Sequence, residues 1–112
     1  MAFERGRFCE LAAGLCGLAA SEQYLIGMVS LFPAMLRILP ADLLKLLPLR
    51  AEAQDALMGK ENREGVLLRW RELEEGGDWA ACDALVNAQG LDHAHIMRCH
   101  ADAIAWANAA LK

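Results

Sequence analysis

Apolar residues recur at helical spacing along most of this chain, and glycine, proline, serine and aspartate punctuate the pattern at regular intervals. Phe8, Leu11 and Leu15 share a face of a first segment that Gly14 and Gly17 close. Ser21 stands where an N-cap belongs, and Glu22 falls in the first turn of a second segment, where the helix dipole favours an anion. That segment, through Arg37, is apolar on every side: Tyr24, Leu25, Ile26, Met28, Val29, Leu31, Phe32, Met35 and Leu36. A helix without a polar stripe must be covered on several faces, so the pattern predicts a buried central helix. Pro33 removes a backbone donor and crowds the preceding turn, which predicts a kink between Val29 and Pro33.

The remaining segments are shorter and more polar. Pro40 and Asp42 open a helix through Leu47 that Pro48 ends, and another runs from Arg50 to Met58 and stops at Gly59. A longer helix spans Glu61 to Glu75, with Val66, Leu67, Trp70 and Leu73 as its apolar stripe. After Gly76-Gly77, Asp78 caps a helix over Trp79 to Ala88, closed by Gly90 at its C′ position. Asp92 caps the last, which carries Ile96, Met97, Ile104 and Trp106 through to Leu111. No alternating run reaches strand length. The expectation is a single all-α domain over 1–112, a compact bundle of about seven short helices around a buried apolar central one. No fixed-period repeat is present, and the paired launches at Asp78 and Asp92 fit a plain helical hairpin.

Composition agrees with this and narrows the function. The chain has 112 residues, 56% hydrophobic and 23% charged, which suits one small packed domain. Its net charge of −4 repels phosphate backbones and argues against nucleic-acid binding. Half of the charged residues fall between Arg50 and Asp78, so the middle helices are expected to face water and the early ones to be buried. The longest uncharged apolar stretch, Gln23 to Leu36, is short of the ~20 residues a membrane span needs. The start, Met1 to Arg7, lacks the apolar run and cleavage site of a secretory signal. Cys9, Cys16, Cys82 and Cys99 show no paired ligand spacing. On one helix Cys9 and Cys16 lie roughly 10 Å apart, too far to bridge. Reduced, buried thiols are expected, and with them a cytoplasmic location.

Candidate chemistry is sparse. His95 and Cys99 are four apart and share a helical face at the spacing a metal site uses, with His93, His100 and Asp102 close by. No face of that helix collects three ligands, so a metal or ligand site built on His95 and Cys99 is the alternative reading rather than the first. Glu72, Glu74, Glu75 and Asp78 sit at a helix end opposite Arg69 and Arg71 and read as a solvated acidic end rather than a catalytic pair. No phosphate-cradling glycine loop or nucleophile elbow occurs, and nothing implies a cofactor. Trp70, Trp79 and Trp106 lie in amphipathic patterns and read as core or interface anchors.

An ordered set of short blocks resembles HDOD domains, the helical relatives of HD phosphohydrolases. Arg5-Gly6-Arg7-Phe8-Cys9-Glu10-Leu11-Ala12 looks like that family's R-A-R-F-C-E-x-L-A stretch, and Tyr24 to Phe32 is similar to its A-Y-L-x-G-L-F-S-L helix. Leu47-Pro48-Leu49-Arg50-Ala51-Glu52 echoes L-P-L-x-x-E, and Ala56-Leu57-Met58-Gly59 resembles A-L-L-G. Gly76-Gly77-Asp78-Trp79 resembles x-G-D-W, and Ala103 to Ala107 the closing E-A-L-x-W-A. The resemblance is to the variant that follows an EAL domain, the cyclic di-GMP phosphodiesterase module, in bacterial signalling proteins. It implies that these residues match the C-terminal half of the HDOD domain, without its N-terminal half or the EAL domain. It further implies a regulatory, protein-binding role without catalysis. Pro33 departs from the family's continuous helix, and the His-Asp pair of the parent hydrolases is missing, since Asp92-His93 has the reverse order.

The expected function is therefore a non-enzymatic signal-transduction module whose partner is another protein, an adjoining EAL domain or a second copy. The early apolar third supplies the contact, centred on Leu31, Phe32, Met35 and Leu36.

Overall fold

The structure, a computed structural model, describes residues 2–110. Eight α-helices and two 3-10 turns follow one another: α1 (Ala2–Ala12), a turn (Ala13–Cys16), α2 (Ala20–Val29), α3 (Phe32–Leu36), α4 (Pro40–Leu44), α5 (Ala51–Leu57), a turn (Arg63–Gly65), α6 (Val66–Glu75), α7 (Trp79–Ala88) and α8 (His93–Ala110). The all-α bundle expected from the pattern is what the chain forms. Leu111, expected in the last helix, lies outside the described residues.

The long second helix is two helices. The Ser30 N–H still bonds the Ile26 carbonyl at 3.1 Å, which finishes α2, and Pro33 then sits in the first turn of α3. There its missing N–H costs nothing, whereas inside a continuous helix its ring would meet the carbonyl four residues back. Ser21 is not the N-cap. Helix α2 starts at Ala20, and its first turn closes through the Gln23 N–H on the Ala19 carbonyl at 3.0 Å. The caps read at Asp78 and Asp92 do form, accepting from the N–H groups of Ala81 and Ala94, each at 3.1 Å. Gly90 ends α7 with φ +65°, a left-handed conformation that only glycine adopts cheaply.

Helix α1 occupies the centre. Its Phe8, Cys9 and Ala12 pack with Leu67 and Trp70 of α6, Cys82 and Val86 of α7, and Ile96, Cys99 and Ala103 of α8. The Phe8 and Trp70 rings stack with centroids 5.1 Å apart, worth about 0.5–1.5 kcal/mol beyond the area they bury. A smaller core joins Ile26, Ala53 and Leu68, with Leu49 and Leu57 against it. The burial expected from charge distribution is partly reversed. Charge-rich α6 buries Val66, Leu67, Leu68, Trp70 and Arg71, because its polar residues lie on the opposite face or pair with one another. Helix α3, read as part of the buried helix, buries nothing.

The tightest contact is between α1 and α2. A Cβ on Gly27 would lie 2.7 Å from the Arg5 carbonyl oxygen and 2.9 Å from the Gly6 Cα, and one on Gly6 would lie 2.9 Å from the Tyr24 oxygen. The two backbones thus touch where both side chains are hydrogen, and any larger residue would force them apart. Gly27→Ala is expected to lower the unfolding free energy by about 1–3 kcal/mol in urea titrations. Gly14→Ala, where a Cβ meets nothing within 4 Å, is expected to leave it within about 0.5 kcal/mol. Equal effects would show that the crossing tolerates separation.

Candidate interaction surface

Between Ser30 and Arg50 the chain runs through two five-residue helices that prolines open. A helix so short can turn only one or two side chains inward, and of the large apolar residues from Leu31 to Leu49 only Leu43 is buried. Six of the others are half-buried, and the remaining four form an apolar surface. Met35 is 63% exposed, Leu36 58%, Leu39 68% and Leu46 77%. Scattered apolar residues are ordinary on a surface, but four this open within twelve positions are not.

The four residues chosen from sequence divide. Met35 and Leu36 stand out into solvent, while Leu31 and Phe32 are half-buried at the junction with α2. Leu39 and Leu46 were missed. The helix that Pro40 opens, expected to run through Leu47, ends at Leu44, so α4 has only five residues and leaves both side chains uncovered. Arg37, at the end of α3, has φ +55° and is the one non-glycine residue with positive φ among the described residues. An arginine held there is strained, and such strain gathers at functional positions.

The segment springs from a rigid base. Arg5 and Arg71 are almost wholly buried. Arg5 donates to Ser30 Oγ at 2.8 Å and pairs with Glu75. Arg71 pairs with Glu4, with Glu74 at 2.9 Å and with Glu75 at 3.3 Å, and His100 Nε2 lies 2.8 Å from the Glu74 carboxylate. This corrects the solvated acidic end read from sequence at Glu74 and Glu75, while Glu72 and Asp78 are exposed as expected. Arg71 meets Glu74 and Glu75 at the local i,i+3 and i,i+4 spacings, but the Arg5 guanidinium that α1 brings to Glu75, and the burial of both arginines, no local pattern reveals. Removing one member of such a set leaves a buried charge unpaired, at about 3–5 kcal/mol. Through Ser30 the network fixes the residue at which α2 gives way to the exposed segment.

The histidine alternative loses its geometry. His95 is exposed and Cys99 buried, because four residues turn a helix about 40° past a full circle and the core boundary runs between them. His93 faces Asp83 at 3.5 Å, and His100 is taken up by Glu74. Among the described residues no three His, Cys, Asp or Glu side chains converge on a point. All four cysteines are free, with Cys16 half-buried and the others buried. Burial raises each thiol above its ordinary range, and pushes Cys9 up to about 12 despite the nearby Arg5 and Arg71. They behave as small apolar groups.

Trp70 is core, whereas Trp79 is 46% exposed, and Arg7 lies 5.3 Å over the Trp106 ring. Among the described residues no helix is long and apolar enough to cross a membrane.

No family model and no solved structure matches the chain. It is similar to YuxH of Bacillus subtilis strain 168, named as an uncharacterized protein, with 32% identity over 103 residues. The similarity takes in 91% of this chain but only 25% of YuxH, so the chain spans about a quarter of that relative.

The Cys9 thiol sets an alkaline limit on the fold. Below pH 9 folded and unfolded chains both hold the proton. Above it the unfolded chain releases its proton while the folded one keeps it up to about 12, so stability falls as pH rises through that window. Urea midpoints are expected to drop between pH 9 and 11, and to drop less steeply in Cys9→Ala. Parallel curves would contradict the assignment.

Proposed function

We propose that the chain is a non-catalytic signal-transduction module that acts through protein–protein contact, and that it is an HDOD-like regulatory portion of a cyclic di-GMP phosphodiesterase of the EAL–HDOD kind. The observation that carries the contact reading is the Leu31–Leu49 segment, in which eleven large apolar residues share one buried position, Leu43. An apolar surface of this kind gains from being covered, at roughly 25 cal/mol for each Å² removed from water. The HDOD assignment is supported by the order of the resembling blocks, from Arg5 to Ala107, and the signalling role follows from that family's implied work. The non-catalytic reading is supported by the missing His-Asp pair, by the separation of exposed His95 from buried Cys99, and by the engagement of Glu4, Glu74 and Glu75 with Arg5 and Arg71. The free, raised thiols fit a reducing compartment such as the bacterial cytoplasm.

A photo-crosslinking amino acid placed at Met35 in cells is expected to yield covalent adducts with protein. The same probe at Glu52, exposed on α5 but outside the segment, is expected to give few. Phe32→Glu with Met35→Glu should abolish the adducts of a probe at Leu36 while the circular dichroism stays helical. Equal yields at positions 35 and 52 would contradict the contact surface. Turnover of cyclic di-GMP by the purified chain would overturn the non-catalytic assignment.

A further inference from the structure

We draw no further inference here: the strongest candidate, the groove of about 810 Å³ between α5, the Arg63–Gly65 turn, α6 and α7, carries nothing, because its lining charges balance once Asp55 is set against Lys60 and nothing in the structure shows what covers it.

Discussion

Everything in this fold is arranged around two helices that touch at glycine. Gly6 of α1 and Gly27 of α2 let the backbones meet where a single methyl group would not fit. That closeness places Arg5 beside Ser30 and Glu75, and turns Phe8 and Cys9 toward Trp70 and α8. The apolar core and the buried ion pairs both depend on the spacing, because neither stacked rings nor guanidinium–carboxylate pairs tolerate displacement of an ångström. A chain of this length has little core to spare, and much of what it has is anchored on α1.

The same constraint explains why the neighbouring segment is free. Helix α2 is held on the face that meets α1, and its order ends at Ser30, whose hydroxyl donates to the Gly27 carbonyl while accepting from Arg5. Beyond that point prolines at 33 and 40 break the chain into pieces too short to bury a stripe. The result is a rigid base carrying a weakly seated apolar arm. Such an arm suits recognition, since the energy it gains on being covered is not already spent inside the fold.

Much of the architecture was legible in the sequence, and the parts that were not share a cause. The boundaries of α5 and α7, the caps at Asp78 and Asp92 and the Trp70 stripe follow from local rules of capping and periodicity, and they hold. The break at Ser30 was half-legible: Pro33 announced a disturbance but not whether the helix would bend or restart. What local rules could not supply was pairing at a distance. Glu75 looks like part of a solvated helix end until Arg5, seventy positions earlier, is brought beside it. Gly6 and Gly27 look like poor helix residues until each is seen as the other's clearance. Burial of the leucine-rich stretch was overestimated for a related reason, since hydrophobicity states what a segment would prefer and not whether the fold has a place for it. In the surface, Met35 and Leu36 were found from composition, while Leu39 and Leu46 needed the observation that α4 is only five residues long.

Hydrogen exchange of the native chain at low concentration, resolved by residue, tests the division between base and arm most directly. Amides of α1, α2 and α6 should exchange only through global unfolding, and those of α3 and α4 roughly a hundredfold faster or more. Uniform protection from Ala20 to Leu57 would contradict the account, because the Leu31–Leu49 segment would then be as firmly seated as the helices that carry it.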